Sequence, residues 1–286
     1  MKVLVTGAGG QLGRALVARA PEGVDVEAAG SAELDISDRA AVLALCERKR
    51  PGLICNAAAY TAVDQAESEP ERARAVNDTG VAHLVAAAAV IGARVAHVST
   101  DFVFDGRASR AYPVDAPTAP LGVYGASKLA GERHLRALDL CVRTAWVHAA
   151  QGRNFVRTML RLMAEREELG VVADQIGSPT SADDLAAALW RLAIEGQVGT
   201  FHYTNSGVAS WYDFAVAIRD EGVRLALLPA TAARVRPIAT SDYPTPARRP
   251  AFSVLDMSRT EVALGAPAPH WRHSLIRVLE QIETHG

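Results

Sequence analysis

The chain has 286 residues, 49% of them hydrophobic and 22% charged, with a formal net charge of -2 at pH 7. That length and apolar fraction allow a full α/β core, as one large domain or one domain with an annex, and the near-neutral balance leaves no electrostatic footprint for nucleic acid or an anionic membrane. No stretch reaches the roughly 18 apolar residues of a membrane span, and Cys46, Cys55 and Cys141 follow no metal or redox spacing, so a reduced, cytoplasmic protein is expected.

Lys2-Val-Leu-Val-Thr6 is a short apolar, β-branched run that reads as a buried parallel strand. Gly7-Ala-Gly-Gly10-Gln-Leu-Gly13 follows it, and Leu12 and Leu16-Val17 recur behind at helical spacing. Strand, glycine turn and helix are the context of a dinucleotide fingerprint, spaced here G-x-x-G-x-x-G. Gly7 permits the tight turn, Gly10 lets the backbone approach a pyrophosphate, and Gly13 lets the helix pack closely, its N-terminus facing the negative charge. Val24–Ala28 reads as a second strand, and Ser37-Asp38 signals a helix running to Arg50. Gly52–Asn56 is a third strand ending in Ala57-Ala-Ala59, and a long helix is expected over residues 72–91.

Arg94–Ser99 makes a fourth strand with Thr100 and Asp101 at its end; a Pro-rich loop then leads to a helix carrying Tyr124 and Lys128, and Leu140–Arg143 is another strand. This alternation predicts an α/β fold, a Rossmann-type doubly wound parallel sheet over residues 1–150. Ligands bind outside the carboxyl ends of such strands, where Gly7–Gly13, Asn56–Ala59 and Ser99–Asp101 fall. Beyond about residue 150, helical runs at 154–167 and 183–195 alternate with short strands. A Pro/Arg-rich stretch at 229–250 reads as an ordered loop near the site, and a helix follows near 271–283. Residues 151–286 are therefore expected to form a smaller α/β substrate-binding part, with segments free to return to the sheet.

Tyr124 and Lys128, four apart on a helix, share a face. Carbonyl reduction needs a reduced nicotinamide on the carbon and a proton donor on the oxygen. A tyrosine of ordinary pKa, about 10, holds its proton tightly. An ammonium one turn away is expected to lower it and to reach the nicotinamide ribose. Thr100 would hold the carbonyl oxygen or the tyrosine.

Gly7-x-x-Gly10-x-x-Gly13, Asn56-Ala-Ala-Ala59, Ser99-Thr-Asp101 and Tyr124-x-x-x-Lys128 together resemble the extended short-chain dehydrogenase/reductases. A closer resemblance, to the dTDP-4-dehydrorhamnose reductases within them, is carried by NAAAYTAVDQAE (56–67), STDFVFDG (99–106), VYGASKLAGE (123–132), RTAWV (143–147), NFVRTMLRL (154–162), DQIGSPT (174–180), SWYDFA (210–215) and TPARRP (245–250). It implies NAD(P)H-dependent reduction of the 4-keto group of dTDP-4-dehydro-L-rhamnose, with NADPH as cofactor and NADH usable too. The resemblance makes Tyr124 the proton donor, Lys128 its partner and ribose anchor, and Thr100 the group orienting the keto oxygen. Gly10, Gln11 and Leu12 would lie along the pyrophosphate, Asp35 and Ile36 beside the adenine, and Ala57, Ala59, Tyr60 and Thr61 near the cofactor's middle. The dTDP-sugar would meet Thr100, Asp101 and Trp146, with Thr61, Val63, Asn154 and Gln175 as weaker candidates.

Phe102 stands where a sugar-nucleotide 4,6-dehydratase carries a glutamate, which disfavours dehydration. Reduction or epimerisation of another 4-keto sugar nucleotide stays open, as does a non-catalytic nucleotide-binding subunit. At the end of the second strand Ala29-Gly-Ser31 offers Ser31, which can bond a ribose hydroxyl or a 2′-phosphate. Phe252 replaces an asparagine common in relatives. Ala15 replaces a glutamate that bridges dimers through magnesium in some of them, so no metal site is expected and a homodimer stays open. Asp64 and Glu67 read as solvated helix-start charges.

Overall fold

A computed structural model of the chain describes residues 1–283. β1 (Lys2–Thr6), β2 (Asp25–Ala29), β3 (Leu53–Asn56), β4 (Arg94–Thr100), β5 (Leu140–Thr144) and a sixth strand, Gly199–His202, form one sheet in the order β2-β1-β3-β4-β5-sixth. Every pairing in it is parallel. Alternate residues of the strands go to opposite faces. Val3, Val5, Leu53, Cys55, Ala96, Leu140 and Val142 meet the helix Ala182–Ile194 in one core. Leu4, Ile54 and Val95 meet the helices Arg39–Lys49 and Gly80–Ile91 in the other. Burial on both faces is why these strands are apolar almost throughout. The strand order reverses between β1 and β3, so the loops leaving those strands diverge and open a crevice between them.

Several boundaries follow the sequence closely. Asp38 caps the helix Arg39–Lys49, accepting from the Ala41 N–H at 3.0 Å. The Pro/Arg-rich stretch is ordered: Arg234–Ile238 pairs in parallel with Glu168–Val172. The sixth strand is a second-half segment that joins the sheet, though its position was not read from the sequence, since four residues with no alternation give little signal. A departure lies in the helix expected over 72–91. Its chain is helical over Pro70–Arg74, widens into a π turn at Ala75–Thr79, and resumes as Gly80–Ile91. Helices Phe155–Glu165 and Trp211–Arg224 pack with Leu275 and Leu279 around Met163, Phe214 and Ile218 to make a separate core in the second half. Among the described residues no helix is long and apolar enough to cross a membrane.

The π turn faces the helix Val123–Glu132, which carries Tyr124 and Lys128. The two approach so closely that a Cβ on Gly131 would lie 2.1 Å from the Asn77 carbonyl oxygen, and one on Gly125 would lie 2.2 Å from that of Phe102. Alanine in a helix gains about 1 kcal/mol over glycine, whereas overpacking against backbone costs about 1–3 kcal/mol. With a contact as close as 2.1 Å to backbone the cost falls at the upper end, so Gly131→Ala is expected to lower the urea midpoint, with a net loss of up to about 2 kcal/mol. An unchanged or higher midpoint would show that the contact does not seat the helix.

Candidate active site

A cleft of about 570 Å³ opens at the β1/β3 reversal, lined by Gly7, Gly9, Gly10, Ser31, Asp35, Ile36, Ala57, Ala59 and Tyr60 among others. Gly7 has φ 68°, and a Cβ there would stand 2.5 Å from the Ala58 nitrogen, so both its turn and its neighbour demand glycine. A Cβ on Gly13 would meet the Gly7 carbonyl at 2.1 Å, while nothing lies within 4 Å of one on Gly9. The helix Gln11–Ala18 starts at Gly10 with no side-chain cap and no acidic residue in its first turn. Open space above uncapped N–H groups suits an anion, and this cradle fits the pyrophosphate of a dinucleotide.

The other predicted cofactor residues are distributed around it. Leu12 packs against the sheet core. Gln11 turns to the outer side of its helix, where its Oε1 accepts from Asn154 Nδ2 at 2.9 Å. The Asp35 carboxylate accepts from the Ser37 N–H and hydroxyl at 2.9 and 2.7 Å, which hold it below its ordinary pKa. Thr61 is exposed beyond Tyr60, and Val63 opens the short helix Val63–Ser68. Arg72, not singled out in the sequence, also lines the cleft, its guanidinium 5.6 Å from the Tyr60 ring centroid and 3.1 Å from Glu69.

Thr100 and Asp101 lie at the carboxyl end of β4, both buried. The Thr100 hydroxyl donates to Asp101 Oδ1 at 3.0 Å and accepts the Phe102 N–H at 3.2 Å, and it lies close enough to the Tyr124 phenol to favour its ionised form. Burial pushes Asp101 up to about 6, against hydrogen bonds from Ser253 and Thr100. Tyr124 packs edge-on against Phe102, their ring centroids 5.4 Å apart. Part of the residue is open, yet the surroundings of its hydroxyl push the phenol up to about 12 by desolvation, the Thr100 hydroxyl opposing and the Asp101 charge adding. The expected lowering by Lys128 is thus not what the free protein contains. The lysine points elsewhere: Nζ donates to the Val98 carbonyl at 2.6 Å and lies 3.3 Å from His97 Nε2. It is 2% exposed, and burial brings its pKa down to about 8.

Residues that sequence reasoning passed over hold this helix in place. Asn77, in the π turn, accepts the Tyr60 N–H at 2.9 Å, donates to the Tyr60 carbonyl at 3.0 Å and donates to Ser127 Oγ at 3.0 Å. It joins the loop after β3 to the Tyr124 helix. Glu67 is no solvated charge: its carboxylate accepts the Val123 N–H at 2.8 Å, at the helix start. Asp64 is likewise engaged, paired with both terminal nitrogens of Arg249 at 2.9 and 2.7 Å, which hold its carboxyl low. At the other end of the helix Glu132 forms a bidentate buried pair with Arg143, at 2.9 and 2.7 Å.

The second-half candidates do not converge as one set. Trp146, at φ 49°, stacks on Trp211 with centroids 3.5 Å apart, just past the carboxyl end of β5. Asn154 caps the helix Phe155–Glu165, accepting from Arg157 N at 3.1 Å. Gln175 is buried and donates to Thr240 Oγ1 at 3.1 Å. Phe252 lies beside Tyr112, 6.5 Å between ring centroids.

The family described as RmlD substrate binding domain matches residues 1–284. A dTDP-4-dehydrorhamnose reductase of Aggregatibacter actinomycetemcomitans is 44% identical, over 96% of this chain and 97% of its own. A solved dTDP-4-dehydrorhamnose reductase from Clostridium acetobutylicum superposes with a TM-score of 0.93 at 39% identity, over 99% of this chain and 100% of that one. One from Bacillus anthracis, solved in complex with NADP, gives 0.91 at 36%, over 98% and 99%.

Lys128 leaves a thermodynamic signature. Its folded pKa, about 8, lies below the ordinary lysine value of 10.5, so the unfolded chain binds the extra proton between those values and stability rises with pH across that window; below it the full cost stands. At about 1.4 kcal/mol per unit this cost is about 3 kcal/mol, offset by about 1 kcal/mol for the Val98 hydrogen bond. Lys128→Met is expected to be more stable than the parent to urea at pH 7 by about 2 kcal/mol, with the gain fading toward pH 10.5. A variant less stable at pH 7 would contradict a costly buried ammonium.

Proposed function

The chain belongs to the RmlD substrate binding domain family, and on that footing we propose that it reduces the 4-keto group of dTDP-4-dehydro-L-rhamnose to give dTDP-L-rhamnose, with NADPH as cofactor. It is an NADPH-dependent oxidoreductase acting on a dTDP-sugar. The observation that carries the chemistry is the Tyr124 phenol packed against Phe102, next to buried Thr100 and Asp101 at the end of β4, with a glycine-lined cleft at the strand-order reversal.

Bound NADPH supplies the hydride for the carbonyl carbon. The protein's residues do the rest. Tyr124, pushed up to about 12, keeps its proton at neutral pH, as a donor must. An alkoxide forming on the substrate is a stronger base than a phenolate, so the proton moves from the Tyr124 hydroxyl to the sugar oxygen only as negative charge builds there. Thr100 orients that oxygen, and its hydroxyl, turning its proton from Asp101, would donate to the phenolate left behind. Lys128, held in the free protein by the Val98 carbonyl, would turn to the ribose as the cofactor binds and offer the charge that this phenolate needs.

In this reading Gly7, Gly10 and Gly13 hold the pyrophosphate, with Asp35 and Ile36 by the adenine and Ala57, Ala59, Tyr60 and Thr61 along the middle. Ser31 and Arg72, on the cleft lining, are the groups placed to meet a 2′-phosphate. Asp101, Val63 and Trp146 would border the sugar nucleotide, while Gln11, Asn154 and Gln175 support the walls through the bonds described above. Residues 1–150 serve the cofactor and 151–286 mainly the sugar nucleotide, with Gly199–His202 belonging to the sheet. The three cysteines are free and buried, which supports a cytoplasmic setting.

Tyr124→Phe deletes one hydroxyl. Turnover should fall by a factor of about 10² or more, while the NADPH dissociation constant, measured by quenching of protein fluorescence, stays within about twofold of the parent. Near-parental turnover would remove Tyr124 from the mechanism.

A further inference from the structure

A row of polar side chains crosses the sheet directly beneath the Tyr124 helix. Thr6, Asn56, His97 and Cys141 are register partners on β1, β3, β4 and β5, so they share one face of the sheet. The first three are buried to 1% exposure or less. Lys128 lies against the His97 end. None of these four has a part in the proton step above.

The hydrogen bonds in this row can be assigned by elimination. Asn56 Oδ1 receives the Ala58 backbone N–H at 3.1 Å and the Thr6 hydroxyl at 2.7 Å. A backbone N–H can only donate, so that atom is the amide oxygen. The Asn56 amide nitrogen therefore faces His97 Nδ1, at 3.0 Å. An amide NH₂ can only donate as well, so Nδ1 must be bare. Burial and the nearby lysine hold His97 well below its ordinary pKa, so the ring is neutral and carries its one proton on Nε2. That N–H faces Lys128 Nζ at 3.3 Å. A charged ammonium has three donors and no acceptor. A neutral amine can accept from Nε2–H and still donate to the Val98 carbonyl at 2.6 Å.

We propose that His97 is a positioning residue for Lys128: its Nε2–H, fixed by Asn56, faces the lysine's Nζ, loosens the ammonium's proton in the free protein and makes cofactor loading proton-linked. The inference rests on the reading of Lys128 as the ribose partner. Other charges near the lysine act differently. Glu132, paired with Arg143, favours the ammonium, and Cys141 on β5 would do so only as a thiolate. The Cys141 thiol is itself pushed well above its ordinary value by burial, so it stays neutral. Asp101 bears on Tyr124 rather than on the lysine. Burial works to release the proton, and a His97 N–H aimed at Nζ acts in the same direction.

The test begins with the free protein, independent of activity. Nitrogen-15 NMR of labelled histidine should show His97 as the neutral Nε2–H tautomer from pH 6 to 9; an Nδ1–H tautomer or an imidazolium would overturn the proposal. Carbon-13 NMR of the Lys128 ε-carbon should titrate near 8. In His97→Met the titration should move up by about one unit, equal to about 1.4 kcal/mol. His97→Gln should retain the parental value, because its carbonyl can accept from Asn56 while its amide donates toward Nζ. Equal titrations in all three proteins would overturn the proposal. NADPH affinity should weaken above the lysine's pKa in the parent and in His97→Gln, and about one unit later in His97→Met. If the NMR results hold but NADPH binding ignores pH, it is the ribose role of Lys128 that fails, and with it the linkage to loading.

Discussion

A lysine with 2% of its surface exposed is the constraint around which this site is arranged. Burying an ammonium costs several kcal/mol unless its surroundings compensate, and among the described residues no carboxylate bonds Nζ, whose short hydrogen bond goes to the Val98 carbonyl. The lysine can stay buried only if its helix is pressed firmly onto the sheet. Glu67 holds the start of that helix and the Glu132–Arg143 pair holds its end. Gly125 and Gly131 let it approach Phe102 and Asn77 more closely than any side chain would allow. The burial that makes Lys128 costly also makes it useful, since it brings the pKa within reach of neutral water.

The π turn at Ala75–Thr79 has a place in the same scheme. A π turn inside a helix displaces one residue outward, and such turns recur at functional sites. Here it delivers Asn77 to a position where one amide serves both the loop after β3 and the Tyr124 helix. The cofactor cleft and the proton donor are therefore coupled through a single buried side chain. Asp64–Arg249 makes a comparable tie between the first half and the loop at 245–250. That pair is partly exposed, so its contribution to stability is modest; its effect is to fix the position of the loop.

Much of this was legible in the sequence, for identifiable reasons. The runs at 2–6, 52–56, 94–99 and 140–143 are apolar because both faces of a parallel sheet are covered, and the glycines between Gly7 and Gly13 mark a turn that only glycine can make. The sixth strand left little trace, since Gly199–His202 is short and sits at the sheet edge beside β5. The break in the helix after Arg74 has no proline or glycine at its centre, and the π turn packs against Gly131, far along the chain. Asp64 and Glu67 were misread because their partners, Arg249 and the Val123 N–H, lie far along the chain. The Tyr124 pKa was misjudged for a related reason: helical spacing put Lys128 on the same face, but the ammonium is drawn away by Val98. His97 carried no signal at all, because its meaning comes from register across three strands.

The central claim is that this site reduces a 4-keto dTDP-sugar with NADPH. The most direct measurement is NADPH oxidation, followed by absorbance, with purified protein and dTDP-4-dehydro-L-rhamnose generated in place by an epimerase, alongside NADH and a panel of other 4-keto sugar nucleotides. Oxidation that requires the dTDP-sugar, is faster with NADPH than with NADH, and yields dTDP-L-rhamnose is the result expected. NADPH that binds yet stays unoxidised with this substrate, while another keto sugar nucleotide is turned over, would contradict the assignment.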